Sequence, residues 1–194
     1  VLKILCDATK FFDTLGPTEL AKHFEAQGYG LRRTCHTMIT HLGPRILKVS
    51  GHFGRITLPC GRSILAGCQN SLSLCRAYTN KAVDGIRNTS FELIEEEGKD
   101  TEVHRDPQGL MVKQHVDDIT IILWSINQAK LGVISTAAAA VAWYDAMCRL
   151  QLIVSSKTKI IPHCEAALTV QAALKAEGIE VGIADHHVDL GVDT

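Results

Sequence analysis

Two adjacent carboxylates, Asp117 and Asp118, stand directly before an apolar, β-branched run, Ile119-Thr120-Ile121-Ile122-Leu123-Trp124. That run reads as a buried strand. Like charges at the mouth of such a strand repel each other and lose hydration, so they need a positive partner. A third acid, Asp7, follows another apolar strand pattern, Val1-Leu2-Lys3-Ile4-Leu5-Cys6. Neighbouring strands lie about 4.8 Å apart, so strand ends side by side in one sheet would bring these acids within reach of one cation. A hard divalent ion is the fitting counter-charge. Mg²⁺ takes one or two carboxylates, keeps waters, and completes its octahedron with phosphate oxygens. Two such ions about 3.5–4 Å apart clamp the attacking and leaving oxygens of an in-line phosphoryl displacement. The bland counterpart is a polar turn capping a strand.

The elements that must position these acids follow from the rest of the chain. Its 194 residues are 46% hydrophobic and 21% charged, which predicts one globular domain over 1–194. The net charge of −1 gives no overall basic footprint, so a nucleic-acid partner has to be argued from a local site. Seven scattered cysteines include no C-x-x-C pair. They predict neither a zinc site nor a disulfide framework, but buried thiols in an intracellular compartment, cytoplasm or nucleus. The nine histidines show no zinc spacing either. No signal peptide and no apolar run long enough to cross a membrane is expected. The opening residue is Val rather than Met, as in a piece of a longer open reading frame.

Along the chain, Gly16-Pro17-Thr18-Glu19 predicts a helix start, with Leu20, Ala21 and Phe24 facing inward and a stop at Gly28. A second helix is expected over about 31–42. Alternation over 45–49 and 54–58 around Ser50-Gly51-His52 predicts a hairpin. A turn at Pro59-Cys60-Gly61-Arg62 leads to a helix over about 64–84. The polar stretch 87–108, with Glu95-Glu96-Glu97, reads as a solvated loop or edge hairpin. Strands are expected at 110–115 and 119–124, and an alanine-rich helix over 128–149. A strand at 150–154, a lysine-bearing loop at 155–159, a helix near 163–177 and strands at 179–183 and 188–193 complete the reading. This order predicts an α+β sandwich, a mostly antiparallel sheet with helices on one face.

At this point the residues resemble a family. Asp7-Ala8-Thr9-Lys10-Phe11-Phe12-Asp13 is similar to motif A of reverse transcriptases, D-x-x-x-[FA]-[FY]-[DS]. His115-Val116-Asp117-Asp118 resembles their motif C, [YF]-x-D-D. Between them, Ile64-Leu65-Ala66-Gly67-Cys68 with Ser71 is similar to motif B of retrotransposon-type enzymes. Lys157 and Lys159 fall where motif D supplies a lysine, and Asp189-Leu190-Gly191-Val192-Asp193 resembles motif E. Five motifs in the family's order span nearly the whole chain.

The resemblance implies a polymerase palm, with the fingers strands before motif A and the thumb after motif E absent. It implies an RNA-directed DNA polymerase that adds deoxynucleotides to a primer 3′-hydroxyl, using two Mg²⁺ ions or Mn²⁺ in their place. Its partners would be an RNA or DNA template-primer and a dNTP, with no membrane. Asp7 and Asp117 would be the bridging metal ligands and Asp118 a supporting one, since it would point to the other face of a regular strand. Phe12 would lie under the incoming sugar and exclude a 2′-hydroxyl. Phe11 is assigned to the core and Asp13 to the turn into the next helix. Gly67, with Ala66, would let backbone approach template or nucleotide closely. Ser71, Arg62 and Lys10 are candidate phosphate contacts. Lys157 or Lys159 would neutralise or protonate the leaving pyrophosphate. The chain departs from the pattern at His115, where an aromatic residue is usual, and at Ser63, where motif B has glycine. A palm that has lost catalysis and only binds nucleic acid is therefore the alternative. A signalling receiver domain also combines paired acids, a further Asp and a Lys, but would carry them on an alternating parallel sheet.

Overall fold

A computed structural model describes residues 1–57, 64, 68, 70–97, 109–115 and 118–185. The chain divides into two compact units, one formed by Val1–Thr9 and the residues from Ala82 on, the other by Lys10–Lys81.

The first unit holds a five-stranded sheet of order β4-β5-β1-β6-β7. Its strands are β1 (Leu2–Cys6), β4 (Gly109–His115), β5 (Asp118–Trp124), β6 (Lys159–Ile161) and β7 (Gly182–Ile183). All pairs are antiparallel except β6 with β7. This arrangement contradicts the alternating parallel sheet of a receiver domain. The period-2 alternation of the strands sorts their side chains onto two faces. Leu2, Ile4, Leu110, Val112, Ile121, Leu123 and Ile160 are buried together with Leu131, Ile134, Ala138 and Trp143 of helix α5 (Gln128–Tyr144). Ala166, Ala167 and Val170 of α6 (Glu165–Ala176) join the same core, as do Val83 and Ile86 of α4 (Ser71–Glu97). Burying each large side chain contributes about 1.5–3 kcal/mol. The opposite face carries exposed Lys3, Met111, Lys113 and Lys159, with Thr120, Ile122 and Trp124 half-buried. The fold is thus α+β, with a mostly antiparallel sheet and its core helices on one face.

Local chemistry explains the helix ends. The Asn127 side chain accepts from the N–H groups of Ala129 (3.0 Å) and Lys130 (3.3 Å), capping α5. Gly178, at φ 76°, closes α6, and Ile179 N–H donates to the Leu174 carbonyl at 2.9 Å.

The second unit contains α1 (Phe11–Thr14), α2 (Pro17–Ala26), α3 (Leu31–Leu42), the hairpin β2 (Arg45–Val49) and β3 (His52–Thr57), and the first part of α4. Leu20 and Phe24 are buried as the sequence predicts, while Ala21 is only half-buried.

Several expected boundaries move. The helix expected over 64–84 begins at Ser71 and runs to Glu97, so the polar residues 87–97 are helical rather than a loop. Its buried positions Leu74, Cys75, Tyr78, Ala82, Val83 and Ile86 keep a 3–4 spacing, and glutamate is a good helix former. Residues 150–153 form no strand. Gln151 takes a left-handed conformation (φ 53°), and only Val154 bridges, to Ala8. The edge of β1 is taken instead by Lys159–Ile161, where the sequence reading has the end of the 155–159 loop and no strand. The helix over 128–149 becomes a π-helix from Asp145 to Arg149. This segment is, by length and composition, long and apolar enough to cross a membrane, contrary to expectation, but half of its most apolar stretch is buried inside the protein.

Candidate active site

β1 and β5 run antiparallel with Leu2 opposite Leu123 and Cys6 opposite Ile119. Extending this register by one residue brings Asp7 opposite Asp118. Opposite positions on antiparallel strands have Cβ atoms about 5 Å apart. Asp118 shares its strand face with Thr120 and Ile122, and the alternation of β1 places position 7 with Lys3 and Leu5. Both acids therefore belong to the face away from the core helices. Across the β4–β5 hairpin, His115 is paired with Asp118. The sequence assigned Asp118 the lesser role; in the structure it begins β5, one residue before the Ile119 that pairs with Cys6. Asp117 lies outside the described residues.

A turn clamps the backbone at Asp7. Ser155 N–H donates to the Asp7 carbonyl at 2.8 Å. The buried Thr158 hydroxyl accepts from Asp7 N–H at 3.1 Å and lies 3.3 Å from the Asp7 carbonyl as a donor. The turn closes on itself, with Thr158 N–H donating to the Ser155 carbonyl at 3.0 Å and Lys157 N–H to Ser155 Oγ at 3.2 Å. Lys157, exposed, is thus carried on a turn anchored to the peptide of Asp7. Lys159 is paired with Leu5 on β1, two residues before Asp7, and is also exposed. Sequence reasoning missed Ser155 and Thr158. Their signal was the Ser155-Ser156-Lys157-Thr158 run, because Ser and Thr next to a turn bond to backbone groups.

No family model matches the chain, and no curated protein is significantly similar to it.

The open face carries Lys3, Lys113 and Lys159 as exposed cations. The nearest thiol, Cys6, lies half-buried against the core, and desolvation pushes it up to about 12. Among the described residues no three His, Cys, Asp or Glu side chains form a group that could hold a metal ion.

The remaining candidates fall in the second unit or outside the described residues. Phe11 is buried, and its ring meets that of half-buried Phe12 edge-on, 5.8 Å between centroids. The Phe12 carbonyl accepts from Ile64 N–H at 2.9 Å. Lys10 is exposed and left-handed (φ 51°), turning the chain into α1, and Asp13 N–H donates to its carbonyl at 2.8 Å. Ser71 is buried and donates its hydroxyl to the Cys68 carbonyl at 2.6 Å, a local cap that engages the hydroxyl expected to meet phosphate. Arg62, Ser63, Ala66, Gly67 and the 189–193 stretch lie outside the described residues.

Proposed function

We propose that this chain is the palm of an RNA-directed DNA polymerase of the retrotransposon type. The observation that carries the reading is the β1–β5 register, whose last pair, Cys6 with Ile119, leaves Asp7 and Asp118, from the D-x-x-x-F-F-D and H-V-D-D stretches, as the next residues at the same end of the two strands. The lysine-bearing turn anchored to Asp7 adds support.

In this reading, Asp7, Asp117 and Asp118 would hold Mg²⁺, whose charge, when bound, would offset that of the triphosphate and favour ionisation of the primer 3′-hydroxyl. The clamp of Ser155 and Thr158 keeps the Asp7 backbone fixed while its carboxylate carries charge. Lys157 or Lys159 offsets the charge of the departing pyrophosphate or gives it a proton. Phe12 excludes a 2′-hydroxyl by volume. Lys10, Arg62 and Gly67 accommodate phosphates and backbone. The template-primer is held mainly through shape and backbone charge. The free cysteines among the described residues fit a cytoplasmic or nuclear setting.

The pairing of His115 with Asp118 favours the second reading, a palm that binds nucleic acid without catalysis. An imidazole beside a candidate ligand puts a nitrogen donor where the family's pattern has an aromatic ring.

Primer extension tests both, using the chain joined to fingers and thumb segments, an RNA template, a DNA primer, dNTPs and Mg²⁺. The polymerase reading expects extension that falls at least about 100-fold in Asp7→Asn and Asp117→Asn, the scale of losing transition-state charge stabilisation. Extension equal in the parent and both variants overturns it. No extension with retained template-primer binding selects the second reading.

A further inference from the structure

The net charge of −1 conceals a division. Between residues 26 and 83 the chain carries eight Lys and Arg and not one Asp or Glu; the remaining residues hold all 21 acids and the other twelve cations. Six of the eight are arginines, the side chain that pairs with phosphate bidentately and stacks on planar rings. The stretch lies almost wholly within the second unit. There Arg32, Arg33, Lys48, Arg55, Arg76 and Lys81 are all exposed.

The β2–β3 hairpin concentrates the feature. Phe53 is 72% exposed, and Lys48 Nζ sits 5.2 Å from its ring centroid. His52 and Arg55 are exposed on the same strand. A ring left in water beside a cation, on a strand free of acids, is poorly explained by packing. It is the pairing by which proteins hold single strands, with cations on the backbone and a base stacked on the ring.

We propose that the β2–β3 hairpin is a docking surface for single-stranded nucleic acid, with Phe53 as the stacking platform and Lys48 and Arg55 as phosphate contacts. Charge complementarity names the occupant: a polyanion meets no repelling carboxylate along 58 consecutive residues. The arginine excess and the cation-flanked ring favour nucleic acid over an anionic lipid surface. The inference extends the polymerase reading, but it stands on charge and exposure and needs no metal site.

The test is fluorescence anisotropy of labelled single-stranded RNA and DNA 20-mers against the full chain, in EDTA and over a range of salt. Phe53→Ala is expected to weaken binding about tenfold, and Phe53→Trp to restore it. Lys48→Gln with Arg55→Gln is expected to flatten the slope of log affinity against log salt by about 1.4. Affinity and salt slope unchanged in these variants, with circular dichroism showing them folded, overturn the proposal. Binding to phosphatidylserine vesicles without binding to either oligonucleotide overturns it as well. Because EDTA removes any contribution of metal, lost primer extension with retained Phe53-dependent binding rejects the polymerase reading alone.

Discussion

The Thr158 hydroxyl meets both backbone groups of Asp7, accepting from its N–H at 3.1 Å and lying 3.3 Å from its carbonyl. The two residues are 151 positions apart, and Thr158 is 1% exposed. Thr158→Val keeps the volume and removes the hydroxyl. A part-buried N–H left without its acceptor costs about 1–3 kcal/mol. We expect the urea midpoint to fall accordingly in Thr158→Val and to recover in Thr158→Ser. As a positioning residue for Asp7, its loss should lower kcat for primer extension while leaving KM for the dNTP near its original value. Equal urea midpoints in the valine variant and the parent would refute the clamp.

Gly109 lies opposite Trp124 on the β4–β5 ladder, and the indole ring occupies the place where a Cβ at 109 would stand. A ring covering a cross-strand glycine shields backbone that would otherwise be exposed. Gly109→Ala must push the ring aside, and overpacking of this kind costs about 1–3 kcal/mol. We expect a lower thermal midpoint and red-shifted tryptophan emission. Trp124→Ala combined with Gly109→Ala should cost less than the sum of the two single changes. Strict additivity would show that the ring and the glycine are not coupled.

The sheet was legible because its strands follow simple rules. Period-2 alternation marked β4 and β5 to within a residue or two, and Pro17 with Gly28 bracketed α2. The 87–97 part of α4 was misread because charge suggested solvation, whereas the burial of Ile86 on a helical spacing with Val83 and Ala82 is a tertiary fact. The exchange of 150–154 for 159–161 on the edge of β1 was hidden for a related reason. Both segments are apolar, and what decides between them is the left-handed turn at Gln151 and the Ser155–Thr158 clamp, neither of which periodicity encodes. Of the candidate site, the acids were readable by type. Which residues of β5 stand at the end of β1 depends on strand register, which shifts with a single residue.

Thiol reactivity separates the cysteines. Burial pushes the Cys6 thiol up to about 12, and Cys75 is buried, whereas Cys35 and Cys148 are exposed. The thiolate is the nucleophile, so a thiol near 12 is almost wholly protonated at pH 8. Iodoacetamide at pH 8 should alkylate Cys35 and Cys148 within minutes and leave Cys6 and Cys75 unmodified until denaturant is added, as read by peptide mass spectrometry. Labelling of Cys6 as fast as Cys148 in the native protein would mean that the end of β1 opens to solvent.

His23 makes stability depend on pH. Its ring lies 4.9 Å from that of Tyr78, and desolvation holds it below the ordinary histidine value. Glu19 opposes that shift and Lys81 adds to it. A proton therefore binds more weakly to the folded than to the unfolded chain, so the unfolded state binds more protons between the two values, and stability rises with pH there. The contribution of this residue is fully present above about 6.5, the unfolded value, and is lost as pH falls through the lower folded value. His23→Phe keeps a ring against Tyr78 and removes the titration. We expect the thermal midpoint of the parent chain to fall more steeply than that of His23→Phe between about pH 7 and pH 5, measured at constant ionic strength. Parallel curves, or a steeper fall in the variant, would assign the acid sensitivity to other groups and leave the ring pair a purely apolar contact.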